Sequence, residues 1–216
     1  MTRRATKKQQ MLAILENLYK NTTTALNYNS AFELLIAVIL SAQCTDNRVN
    51  VITSRLFPQY NTAEKMLRLS LDELEELIRD CGLYHSKAKN ILGACRILAE
   101  RHGGQVPAVM EELLELPGVG RKTANVVLSQ LFNKPAIAVD THVFRVANRL
   151  GLSKGETPRQ VEEGLMKTIP KGKWSDAHHW LIWHGRKVCK ARKPDCVSCA
   201  LVQLCPEAKK TTTTSV

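Results

Sequence analysis

No stretch of this chain is long and apolar enough to cross a bilayer. The longest apolar run, Ala31 to Ala42, is broken by Glu33 and falls short of the roughly 20 residues a spanning helix needs. The opening segment, Met1 to Gln10, is basic and polar with no apolar core behind it, so it does not read as a secretory leader. With both absent, the expected location is cytoplasmic. Extended sequence is nearly missing as well. Only Ala136 to Val139 departs from the helical period, and so short a piece does not make a sheet. Acidic residues are scarce: 20 Asp and Glu stand against 31 Lys and Arg, for a formal charge of +11. A surplus of that size points to a polyanionic partner. The shortfall is deepest between Lys167 and Lys193. There Lys167, Lys171, Lys173, Arg186, Lys187, Lys190, Arg192 and Lys193 face one acid, Asp176. No internal repeat of fixed period is present.

What the chain does have is helical periodicity. Met11, Leu12, Leu15 and Leu18 form one stripe, and Leu34, Leu35, Val38 and Ile39 another. Ser70 to Glu73 reads as a capping box ahead of Leu74, Leu77 and Ile78. Thr157 to Gln160 reads as a second, with Pro158 at the first helical position. Gly82, Gly103, Gly104, Gly151 and Gly172 fall where helices would stop. The pattern predicts about ten helices and an all-α fold. Composition shifts near Asn133-Lys134-Pro135, where an apolar block gives way to a basic one. The last residues, Lys209 to Val216, form a polar Thr-rich tail expected to be disordered.

The most telling local pattern runs from Leu116 to Ala124, LPGVGRKTA. Gly118 and Gly120 let backbone amides approach an anion without a Cβ in the way. The helix that follows aims its free N–H groups and positive dipole end the same way. Lys122 is out of place there, because a cation at a helix N-terminus is electrostatically unfavourable. Such a position is expected to favour the neutral amine, as a nucleophilic lysine requires.

Seven cysteines in a chain of cytoplasmic character read as metal or redox chemistry before disulfides. Cys44, Cys81 and Cys95 are scattered and fit buried free thiols. Cys189, Cys196, Cys199 and Cys205 are spaced C-x6-C-x2-C-x5-C, and four thiolates so close predict a metal site. An all-sulfur site suits zinc or an iron–sulfur cluster. Zinc ribbons normally show two separated C-x2-C knuckles, and this sequence has one. The loop Lys190 to Asp195, Lys-Ala-Arg-Lys-Pro-Asp, would be pinned by such a metal with its cations held out. That makes the site structural and DNA-facing.

Three motifs occur in order: LPGVGRKTANVVL, then Val139-Asp140-Thr141-His142-Val143-Phe144-Arg145-Val146, then the four cysteines. Together they resemble the endonuclease III family of helix-hairpin-helix DNA glycosylases, from Leu40-Ser41-Ala42-Gln43 to Cys205. The resemblance implies two helical domains flanking a cleft. A six-helix barrel with the helix-hairpin-helix would span residues 24–134. An iron–sulfur domain would join residues 1–23 to 135–216, with a [4Fe-4S] cluster on Cys189, Cys196, Cys199 and Cys205. It further implies removal of oxidised pyrimidines from duplex DNA by a nucleoid-associated monomer of prokaryotic type, with strand cleavage at the abasic site. Lys122 would be the nucleophile and Asp140 its acidic partner. Gln43 and Leu83 match positions that fill the gap left by a flipped base. Gly118, Val119, Gly120, Arg121, His142, Lys190, Arg192 and Lys193 would contact DNA.

The bland readings are an N-cap for Asp140, ahead of Thr141 to Val146, and packing for His142, His178, His179 and His184. Among relatives, adenine glycosylases carry a catalytic glutamate where this chain has Ala37 and lack the hairpin lysine. Thymine-mismatch glycosylases are a second neighbour, and Lys122 again favours the lyase type. A rival of another class is a non-catalytic DNA-binding module with a zinc knuckle.

Overall fold

The computed structural model describes residues 5–208, and within them regular structure is helical throughout, without a strand. In chain order the helices are α1 (Lys7–Tyr19), α2 (Ala31–Leu40), α3 (Asp46–Leu56), α4 (Ala63–Met66), α5 (Leu71–Ile78), α6 (Tyr84–Arg101), α7 (Met110–Leu114), α8 (Arg121–Phe132), α9 (Thr141–Leu150), α10 (Pro158–Thr168) and α11 (Trp174–Lys187). Ala136 to Val139 is an irregular connector in which Ile137, Ala138 and Val139 are buried. The tail from Lys209 to Val216 lies outside the described residues. No helix among those described is long and apolar enough to cross a membrane.

The chain divides into two compact units, one Ala25–Lys134 and the other Met1–Thr24 with Pro135–Val216. The first is organised on α2. Every residue of α2 after Ala31 is buried, which marks a helix enclosed on all sides. α3, α6 and α8 pack on it. Ser30, Thr45 and Ser70 cap α2, α3 and α5 through their hydroxyls. The capping box at Ser70 forms as predicted.

In the second unit α11 packs on α1 and α9, and α10 on α9. Its core draws Leu15 from α1, Val143, Val146 and Leu150 from α9, Val161 and Leu165 from α10, and Ala177 and Leu181 from α11. Two expectations change here. Met11, Leu12 and Leu15 point inward, but Leu18 is 50% exposed and Tyr19 completes the stripe. Tyr19 continues the i, i+4 row from Met11 and Leu15, and its ring meets His184 edge-on. Gly172 does not stop a helix. It lies inside a 3-10 turn, Lys171–Lys173, ahead of α11. α10 ends instead at Thr168, followed by extended Ile169 and Pro170, because a residue before proline is driven out of the helical region.

Candidate functional site

The hairpin is shaped by what its turn rests on. Val119 N–H donates to Leu116 O at 3.0 Å, and Gly118 takes φ +80°. A Cβ at Gly118 would stand 3.0 Å from the Asn90 Cβ on α6, and a Cβ at Gly93, one helical turn on, 3.1 Å from the Pro117 ring. A side chain at either position would press on the opposite surface, and at Gly118 it would also meet a left-handed backbone. Val119 is buried and its amide is occupied, so of the predicted contacts its role is to anchor the turn. Gly120 is the N-cap of α8, and no side chain caps that helix. Its first-turn amides are left without an intrahelical partner, and there is open space around Gly120. Arg121 and Lys122 occupy the first two helical positions, and no acid shares that turn. Lys122 is exposed. Its side chain makes no hydrogen bond or ion pair among the described residues.

Asp140 opens α9, and its Oδ1 accepts from the Val143 amide at 2.7 Å. The second carboxylate oxygen makes no hydrogen bond among the described residues. The cap and a free acceptor therefore coexist in one half-buried side chain. His142 lies beside Arg145, Nδ1 to Nη2 at 3.2 Å, which leaves one ring nitrogen uncommitted.

Gln43 and Leu83 share a backbone signature. Both are exposed, and both are non-glycine residues in the left-handed region, with φ of 53° and 61°. Such a conformation costs about 1–2 kcal/mol for an ordinary residue. A Cβ on Gly82 would lie 3.4 Å from the Gln43 carbonyl, so the two turns abut. Two of the scattered thiols take part, Cys44, which is half-buried, neighbouring the buried Cys81; Cys95 is buried in α6. Burial pushes the Cys95 thiol up to about 12.

Cys189, Cys196, Cys199 and Cys205 line one cavity with apolar walls from Leu150, Val188 and Val202. Among the described residues no three His, Cys, Asp or Glu side chains converge tightly enough to hold a single metal ion. The basic loop between Cys189 and Cys196 is gripped by two arginines that sequence reasoning overlooked. Arg149 donates to Lys190 O at 2.7 Å and Ala191 O at 3.1 Å, and Arg145 donates to Cys189 O at 3.1 Å. Their i, i+4 spacing on a helix was the available signal. Lys190, Arg192 and Lys193 are exposed, Lys193 with φ 50°. His184 does more than pack: it bridges the Tyr19 hydroxyl, 3.2 Å from Nδ1, and the Cys199 sulfur, 3.8 Å from Nε2. Desolvation lowers its pKa to about 4, so the ring is neutral near neutral pH.

Comparison with known proteins is in line with these features. Residues 36–171 match the HhH-GPD superfamily base excision DNA repair protein family. Endonuclease III of Haemophilus influenzae is 52% identical over 205 residues, covering 95% of this chain and 97% of that protein. Endonuclease III of Escherichia coli K12 is 52% identical over 206 residues, covering 94% and 98%. Among solved structures, a trapped endonuclease III–DNA covalent intermediate superposes with TM-score 0.91 at 49% identity, covering 96% of this chain and 99% of that one. A thermostable thymine-DNA glycosylase gives 0.85 at 26%, covering 94% and 97%.

Proposed function

The chain belongs to the HhH-GPD superfamily of base excision DNA repair proteins, its activity is that of a DNA glycosylase, and we propose that its chemistry runs through Lys122 and Asp140. The substrate is an oxidised pyrimidine in duplex DNA. One observation carries the assignment: an exposed, unpartnered lysine in the first turn of a helix whose N-terminus is otherwise uncapped.

The damaged nucleotide is extruded at a cost of a few kcal/mol, which poor stacking reduces. The open amides of α8, with Gly118, Gly120 and Arg121, hold backbone phosphate. The Lys122 amine forms a bond to C1′ of the sugar as the bond from C1′ to the base breaks, and the base leaves with a proton. The Asp140 carboxylate stabilises positive charge developing on the sugar and assists proton transfer. Opening of the sugar ring gives a Schiff base. Loss of a 2′ proton then expels the 3′ phosphate, which cuts the strand. Water releases Lys122. Gln43 and Leu83 fill the gap left in the duplex, and Lys190, Arg192, Lys193 and the free nitrogen of His142 add contacts to DNA.

The cysteine cavity fits an iron–sulfur cluster: four sulfur donors share apolar walls, and the nearby Asp195 carboxylate is engaged by Ser198 at 2.6 Å. Bound on Cys189, Cys196, Cys199 and Cys205, a [4Fe-4S] group would act as a structural cross-link beneath the basic loop.

The test is borohydride reduction with duplex DNA bearing an oxidised pyrimidine. A covalent protein–DNA adduct and a yellow-brown protein are expected. A colourless protein that binds DNA, forms no adduct and leaves the strand intact would instead be a binding module.

A further inference from the structure

Lys87 is the one lysine among the described residues that is buried, at 4% exposure, and the chemistry above does not use it. No carboxylate pairs with it. Its ammonium donates to Leu40 O at 2.8 Å and to the Cys81 sulfur at 3.0 Å. Cys81 in turn donates to the same Leu40 carbonyl at 3.2 Å. Leu40 is the last residue of α2, so its carbonyl is one of those an α-helix leaves open at its C-terminus. The negative end of the helix dipole substitutes for a counter-ion. One cation thus caps a helix 47 residues away and binds the residue two positions before Leu83.

The consequence lies just beyond each end of this tie. Three residues after Leu40 the chain reaches Gln43, and two after Cys81 it reaches Leu83; both take positive φ and both are exposed. The turns are also joined through Cys44, which interacts with the Cys81 thiol and the Gly82 backbone. Neither turn lies in a repetitive element that would hold its geometry, and Leu83 has no side-chain cap to settle it.

We propose that Lys87 is a positioning residue for nucleotide extrusion: its ammonium fastens the end of α2 to the turn before α6 and so sets Gln43 and Leu83 as a pair. This rests on the reading of Gln43 and Leu83 as the side chains that fill the gap in the duplex. Lys87 touches no substrate and acts through them.

The experiment uses the full-length protein and two substrates. One is a duplex with an oxidised pyrimidine, which must be extruded; the other is an abasic site in a single strand, where no gap has to be filled. Lys87→Met keeps the volume and removes the donors. Its kcat on the duplex should fall about 30-fold, inside the ~100-fold that a misplacement of about 1 Å costs. Cleavage of the single strand should stay within about threefold, since Lys122 is untouched. In a Gln43→Ala/Leu83→Ala background, Lys87→Met should add less than about threefold on the duplex, because residues acting through one another are not additive. Equal losses on both substrates, or full additivity in that background, would overturn the proposal. Should Lys87→Met not fold, Cys81→Ala removes one arm of the tie and is expected to lower duplex activity alone, by about fivefold. Equal losses on the two substrates would count against the proposal there too. Gln43→Ala/Leu83→Ala acting at wild-type rate on the duplex would overturn the gap-filling reading itself. A wild-type protein that forms no borohydride adduct would overturn the lyase assignment, a separate failure.

Discussion

Two helices begin from almost the same backbone and end up with opposite chemistry. The N-cap of α8, Gly120, has φ −91° and ψ 176°; the N-cap of α9, Asp140, has φ −93° and ψ −175°. At α9 the carboxylate sits on the positive end of the helix and takes up an amide at 2.7 Å. At α8 nothing caps the helix, no acid stands in the first turn, and Arg121 and Lys122 are there instead. One terminus satisfies a backbone donor with its own carboxylate, while the other leaves its first-turn donors open. The difference begins at the N-cap: α9 brings a carboxylate to its helix end, whereas α8 follows a bare glycine with two cations. For stability alone, a glycine N-cap is poorer than an aspartate by only about a few tenths of a kcal/mol. Among the described helices α6, α7 and α11 also begin without a side-chain cap; what sets α8 apart is a glycine N-cap followed directly by two cations with no acid in the turn.

Substitutions at these two termini test the contrast. The largest effect is expected from Lys122→Gln. The borohydride adduct should vanish and strand cleavage should fall by about 10³-fold or more, as when any covalent nucleophile is removed. DNA binding should persist. A mutant that still traps would remove Lys122 from the reaction. Next is Asp140→Asn, where asparagine caps as well as aspartate but carries no charge. Base release should drop by about 10²- to 10³-fold with little change in Tm; full activity would reduce Asp140 to a cap. Gly120→Asp turns the first terminus into the second. Space around Gly120 accepts the side chain, so Tm should hold or rise slightly while DNA affinity falls about tenfold, with a salt slope shallower by ~0.9 for each phosphate the helix end no longer holds. Unchanged affinity would mean that α8 takes no phosphate. The smallest effect is the further destabilisation of Asp140→Ala relative to Asp140→Asn, about 1 kcal/mol or ~2–4 °C in Tm, read by thermal unfolding.

Much of this could be read from sequence, and the reason is local. A glycine turn, a capping box and the spacing of four cysteines are each written within a few residues. They hold in the folded chain: the Ser70 and Thr157 boxes form, and the four cysteines share a cavity. What stayed hidden depends on distant partners. Lys87 stands in a helix among Ser86, Lys89 and Asn90, where lysine is normally a solvent residue, and only the end of α2 makes it a buried one. Arg145 and Arg149 stand four residues apart on one helix, and their partners, the carbonyls of Cys189, Lys190 and Ala191, lie about 40 residues further along the chain. Leu18 and Tyr19 are adjacent on one helix, and Tyr19, on the row of Met11 and Leu15, turns inward to meet His184 across the sequence. The pairing of Cys44 with Cys81 had no sequence signal at all.

The bond from Lys87 to the α2 carbonyl bears on how the protein comes to be active in time. Its partners are 47 residues apart, and interactions of that separation form late, after the entropy of closing the intervening loop has been overcome. Individual helices of the Ala25–Lys134 unit can form earlier without it, and short-range bonds such as Cys44 N–H to Ser41 O at 3.2 Å and Cys81 N–H to Ile78 O at 2.8 Å start the two turns, but the tie that joins the turns waits for tertiary structure. A half-folded chain would carry helices and positive charge and would adhere to DNA without opening it. With Gln43, Leu83 and Lys87 in the roles proposed above, competence to extrude a nucleotide arrives in the same cooperative step as tertiary structure, and disappears in the same step when the unit is heated.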